Sequence, residues 1–169
     1  MSVLNADHLF DQARRLVEAP PAGPPRQVDS RHAISAAYYG VFHAVLTAAA
    51  DAFVGSTKRT SARYALVYRS VDHRALRDLC TEAQRLKPSP KYLPYLSGTG
   101  FGPNLRSFAS AVLELQEKRH RADYDPRPHV RTSDALIAVQ IGETAIRRFR
   151  AEGSEGRTLF LTLLLFPPR

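Results

Sequence analysis

The stretch Asn104-Leu-Arg-Ser-Phe-Ala-Ser-Ala-Val-Leu-Glu-Leu-Gln-Glu-Lys-Arg119, continued by His120-Arg121-Ala122-Asp123-Tyr124-Asp125-Pro126, decides how this chain reads. Leu105, Phe108, Val112 and Leu115 recur at i, i+3, i+7 and i+10, the period of an amphipathic helix with one apolar stripe. The next position on that stripe is Arg119. A guanidinium stays charged at any accessible pH and is rarely buried without a partner. An arginine that ends a core stripe, with His, Arg, Asp and Tyr inside the next five residues, has two readings. Either it caps the helix and pairs with a carboxylate, or it stands in a polar cleft built for an anion.

The rest of the chain repeats the helical period on both sides of this segment. The spacing predicts a first helix from Asn5 to about Ala19, with Leu9, Ala13 and Leu16 inward and Pro20 and Pro21 stopping it. A proline-rich connector then runs to Arg26. A second helix starts near Asp29 or Ser30, both good N-caps, and runs to about Phe53. It is apolar on two faces, one carrying Ile34, Tyr38, Val41 and Val45, the other Ala36, Tyr39, Phe42, His43 and Leu46. A helix of this kind is surrounded by neighbours. A third helical region, Ser61 to Leu86, is expected to break near Ser70 to Asp72, with Asp72 capping the second part. The loop from Lys87 to Pro103 is longer than most connections and is a candidate for function or mobility. The fourth helix is Asn104 to about Ala122. The fifth runs from Thr132 or Ser133 to about Ala151, with Leu136, Val139, Ile146 and Phe149 inward. After a Gly/Glu hinge, Thr158 to Phe166 reads as a short apolar tail. The expected fold is an all-α, antiparallel up-and-down bundle of four long helices plus a shorter or broken one. The bundle takes residues 1–152, and the hinge and tail take 153–169.

The chain has 169 residues, 44% of them hydrophobic, enough for one domain with a real core. A lone cysteine, Cys80, excludes an internal disulfide framework and reads as a buried small hydrophobe. The N-terminus lacks the basic start and apolar run of a secretory signal. No segment reads as the roughly 20 apolar residues of a membrane span. The expectation is a cytoplasmic protein without membrane contact. The formal net charge of +8 favours polyanionic partners such as nucleic acid. A bland reading stands beside it: the basic residues are arginines with very few lysines, a bias that GC-rich coding also produces.

The second helix carries Arg31, Ser35, Tyr38, Tyr39, Phe42 and His43, and Tyr39 and His43 share a face one turn apart. They are either core aromatics with a structural imidazole, or the wall of a cleft shared with Arg119. His120 points about 100 degrees away from Arg119 on a helix. A solvated basic helix end is the plain alternative for this run, with Arg119 and Arg121 facing the C-terminal carbonyls and Asp123 pairing with one of them. No metal site is expected, because the histidines show no i, i+4 pair and the cysteine has no near partner. Ser97 to Gly102 lacks the Lys-Ser/Thr of a phosphate-binding loop, and no strand–turn–helix nucleophile elbow is present.

Taken together, the string Ser35-Ala-Ala-Tyr-Tyr-Gly-Val-Phe-His-Ala44 and the helix end Arg119-x-x-Ala-Asp-Tyr-Asp-Pro126 resemble the HEPN superfamily. These are small all-α nucleotide-binding or ribonuclease domains, many of them toxins paired with a minimal nucleotidyltransferase antitoxin. The likeness follows helix order from about Asn5 to Arg150, and its specific part is those two strings. In the family motif an arginine and a polar residue precede a histidine. Arg119 matches the arginine and His120 the polar follower, whereas Tyr124 stands where the histidine is expected, as in the group with R-x-x-A-D-Y. The resemblance implies a homodimer with facing motifs that binds RNA or a nucleotide, and metal-independent RNA cleavage where the chemistry operates. It implies Arg119, His120 and Tyr124 as catalytic residues, and Arg121, Asp123, Tyr39 and His43 as nucleotide- or anion-binding ones, with no cofactor. In such a mechanism Arg119 stabilises phosphoryl charge, and His120, or His43 if it reaches the cleft, moves the proton. The alternative is a non-catalytic helical interaction module whose Arg119 cluster only binds an anion or a protein partner.

Overall fold

The computed structural model describes residues 4–18, 23, 26–97 and 100–169. Among these the chain is all α-helical. The helices are α1 (Ala6–Val17), α2 (Gln27–Val54), α3 (Ala62–Tyr68), α4 (His73–Ala83), α5 (Pro103–Tyr124), α6 (Thr132–Ala151) and α7 (Ser154–Leu165). Single 3₁₀ turns lie at Ser56–Lys58 and Leu93–Tyr95. Pro20, Pro21 and most of the proline-rich connector lie outside the described residues, as do Gly98 and Thr99 of the glycine-rich loop.

α2 is the centre of the bundle and packs against α1, α3, α5, α6 and α7. Its two apolar faces both find partners, because Ala33, Ala37, Ala49 and Ala50 let neighbouring backbones come close. By length and hydropathy alone α2 could cross a membrane, which corrects the reading that no segment is apolar enough. Two-thirds of its most apolar stretch is buried against the other helices, at 67%. The Phe10 ring of α1 wedges against Gly40 of α2 and Gly142 of α6. A Cβ on either glycine would lie 2.8 or 2.7 Å from a ring carbon. α1 is also tied to α6 by a bidentate ion pair, in which Arg14 donates to Glu143 at 2.8 and 2.5 Å.

Several boundaries follow from capping. Asn5 accepts the Asp7 N–H at the start of α1, and Asp72 accepts the Ala75 N–H at 2.7 Å at the start of α4, so α3 and α4 are separate helices as expected. Other expectations are corrected. α1 buries Ala6, Phe10, Ala13 and Val17, a face rotated from Leu9 and Leu16. α2 begins at Gln27, and Asp29 sits in its first turn, paired with Arg26 rather than capping. Leu136 points outward, and Ala135, Ala138, Val139, Gly142, Ala145, Ile146 and Phe149 form the inner face of α6. The segment read as a hinge and tail is a packed helix. Phe160, Leu161, Leu163 and Leu164 are buried, and the Phe160 ring meets Phe101, Phe108 and Phe149 at 6.0, 5.7 and 6.1 Å between centroids. Part of the long loop is pinned: the buried Glu82 carboxylate accepts from the Ser89 N–H and hydroxyl, and Tyr92 and Phe101 are buried. Cys80 is buried, and burial pushes its thiol pKa up, so it stays an inert hydrophobe.

Candidate functional site

Four residues of α2, Arg31, Ser35, Tyr39 and His43, recur every fourth position and so form one polar stripe on an otherwise apolar helix. The C-terminal end of α5 lies along it. Arg31 acts as a clamp. Its Nη1 donates to the carbonyls of Ala122 (2.8 Å) and Asp125 (2.7 Å), and its Nη2 to that of Pro128 (2.6 Å). These bonds satisfy carbonyls freed at the helix end and fix the turn through Pro126. The Ser35 hydroxyl donates to Asp123 Oδ1. Asp123 Oδ2 lies 2.7 Å from Arg119 Nε, and Arg119 Nη2 donates to the Tyr39 hydroxyl at 2.7 Å.

Arg119 is thus held at the end of the core stripe with 16% of its side chain exposed. Asp123 is close enough for an ion pair, but the Nε–H is not aimed at the carboxylate and remains without a hydrogen bond. The guanidinium lies over three rings, 5.3 Å from Tyr39, 5.5 Å from Tyr124 and 6.0 Å from Tyr38. Cation–π attraction offsets part of its lost hydration. Among the described residues Nη1 makes no hydrogen bond, so this cation keeps an unused donor.

The flat groups continue on both sides. Beyond Tyr39 come His43, at 6.2 Å between centroids, and then Tyr68 of α3, at 5.9 Å from His43. On the other side Tyr124, 65% exposed, leads to the His120 ring at 5.1 Å. The structure therefore brings together Arg119, Asp123, Tyr39, His43 and Tyr124, with His120 at the rim. Arg121 is not part of this group. It lines a separate depression with Lys118, Val130 and Asp134, as a residue two places on from Arg119 must on a helix. Next to Asp123 and Tyr124, between the start of α2 and the end of α5, lies a cavity of about 900 Å³ whose lining includes His32, Arg127 and His129.

His73 was missed by sequence reasoning. It is the first residue of α4, and its Nδ1 lies 2.8 Å from the Tyr38 hydroxyl. Its ring packs on Phe42 at 4.0 Å and on Tyr39 at 5.8 Å. No local signal could have placed it there, since only tertiary packing brings α4 to α2. Burial, then the neighbouring Arg119 charge, lower its pKa, while Asp72 works the other way. Burial, then His73, lower that of His43, whose Nδ1 lies 2.7 Å from the Tyr68 hydroxyl. Burial raises the pKa of Tyr38 and of Tyr68. Near neutral pH the site thus carries the fixed Arg119 cation beside two uncharged imidazoles among phenols. No family model, curated protein or solved structure matches the chain.

Proposed function

We propose that this chain is a HEPN-like RNA- or nucleotide-binding protein that seats a phosphate against Arg119. The observation that carries the reading is the Arg119 guanidinium, held by Tyr39 and Asp123 among three tyrosine rings, with Asp123 and Tyr124 of the same cluster lining the adjoining cavity. A cation aimed by neighbours and backed by aromatic rings suits a phosphate flanked by stackable bases. The +8 charge adds a sequence-independent attraction for the polyanion. In this reading the protein is a cytoplasmic homodimer and the toxin partner of a nucleotidyltransferase-type antitoxin. The Arg119–Asp123 ion pair favours a second reading, in which the cluster fastens α5 within a helical interaction module.

One comparison separates the two. Arg119→Ala and Tyr124→Phe are each melted thermally and titrated with a labelled single-stranded RNA. On the proposed function Arg119→Ala stays folded, losing about 1–3 kcal/mol of stability from charge-assisted bonds, and its RNA affinity falls about tenfold or more. Tyr124→Phe, which keeps the ring over the guanidinium, melts like the parent. An Arg119→Ala variant that unfolds, or that binds RNA as well as the parent does, assigns the cluster to the structural role.

A further inference from the structure

A second cavity, of about 490 Å³, opens where the start of α1 meets α2 and the corner between α6 and α7. That size falls within the roughly 300–1,000 Å³ of small-molecule pockets. It shares no lining residue with the cavity beside Asp123 and Tyr124. Its floor is apolar, made by Ala44 and Ala48 of α2 and the buried Ile146 and Phe149 of α6. Three arginines from separate stretches of chain stand around it: Arg59 after the first 3₁₀ turn, Arg150 in the last turn of α6, and Arg157 on α7. No acidic residue lines it. Each guanidinium is positioned. Arg59 makes a bidentate pair with Asp51 at 2.9 and 2.5 Å, and the Tyr64 hydroxyl donates to the same Asp51 at 3.0 Å. Arg150 meets Asp7 of α1 at 3.4 Å. Arg157 donates through Nη1 to the main-chain carbonyl of Arg150 at 3.2 Å. Among the described residues Arg157 makes no ion pair; Glu152, close to it in sequence, lies against Gly102 and Gly156 instead.

We propose that this cavity is a binding site, separate from the Arg119 cluster, for a small phosphomonoester with an apolar body. Three cations surround it, and the two carboxylates that touch them lie outside its lining, so the cavity keeps a surplus of positive charge. The N-terminal end of α1 adds to that surplus, because Asn5 and Ala6 stand at the rim. A helix-end role accounts for Arg150, which faces the last carbonyls of α6. It does not account for Arg157, which stands just past the first turn of α7, at the end of a helix where a cation gains nothing from the dipole. A guanidinium fork matches the oxygens of phosphate. A phosphomonoester offers three terminal oxygens to three arginines, where a carboxylate offers two. The alanine, isoleucine and phenylalanine floor then takes the body of the ester, which inorganic phosphate lacks.

The test uses the full chain with phenyl phosphate as the probe, and inorganic phosphate and phenol beside it, in calorimetric titrations and thermal melts. Phenyl phosphate is expected to bind more tightly than either and to raise the melting temperature. Arg157→Gln removes no ion pair, so it should melt like the parent. It should weaken phenyl phosphate about tenfold or more, the scale of one charge-assisted hydrogen bond. Ala48→Leu keeps every arginine and fills the floor; it should weaken phenyl phosphate and leave inorganic phosphate unchanged. Arg119→Gln should retain the Arg157-dependent binding, whatever the Arg119 cluster itself takes up. A parent that binds no phenyl phosphate, or binds phenol as well, would overturn the proposal. So would unchanged affinity in Arg157→Gln and Ala48→Leu, or a loss confined to Arg119→Gln, which puts the anion at the other site.

Discussion

At the scale of single residues, the two imidazoles tie stability to pH. Burial holds His73 and His43 below the ordinary imidazole pKa, with Arg119 adding to the effect on His73 and His73 to that on His43. The unfolded chain takes up protons near pH 6.5, whereas the folded chain resists until lower pH. Between those values the unfolded state binds more protons, so stability rises with pH there. The contribution is complete above about pH 7 and is lost as pH falls from about 6.5 through the lowered folded values. A melting temperature that drops between about pH 7 and pH 5 is therefore expected, and the drop should be smaller in a His43→Asn/His73→Asn double variant. Equal slopes in parent and double variant would show that other groups carry the titration.

At the scale of elements, the contact of α1 with α2 and α6 has almost no slack. Gly142→Ala places a Cβ 2.7 Å from Phe10 Cε1 and 3.3 Å from the Ala37 carbonyl oxygen. Alanine improves helix propensity by about 1 kcal/mol, but overpacking a filled seat costs about 1–3 kcal/mol, so the net sign should be destabilising. Phe10→Leu in the same chain should recover part of the loss. A purely additive pair in thermal melts would mean that the ring does not meet the new methyl group. Much of this architecture was legible in the sequence. The stripe from Leu105 to Leu115 and the Asp72 cap each rest on local chemistry that needs no neighbour. The α2 site was half legible: Tyr39 and His43 stood out together, and the four-residue recurrence of Arg31, Ser35, Tyr39 and His43 was there to be read. α7 was missed because a run apolar on nearly every side hides its period. Leu136 was misplaced because the small residues Ala135, Ala138 and Gly142 form the contact, and a hydrophobicity count gives them little weight. His73 was invisible because its neighbours come from other helices.

At the scale of the whole molecule, the charge sets how any polyanion is met. With +8 and no recognisable base-reading motif, RNA binding should weaken steeply as salt rises and should vary little with sequence. Affinity that ignores ionic strength would contradict this. The apolar surface of α2 and α7 is consumed inside the bundle, which leaves Phe53 and Phe166, in contact at 5.6 Å and both more than half exposed, as an uncovered apolar pair. The seat of Phe10 also has a consequence for how the protein is made. α1 leaves the ribosome well before α6 and packs chiefly on α2, yet one wall of the Phe10 seat belongs to α6. At the usual pace of translation, roughly 5–20 residues per second, the nascent chain carries α1 with the α6 wall of its seat missing for on the order of ten seconds. α1 is thus made early and completes its packing late, and a product abandoned before α6 leaves the Phe10 ring uncovered on that side, open to capture by chaperones or proteases.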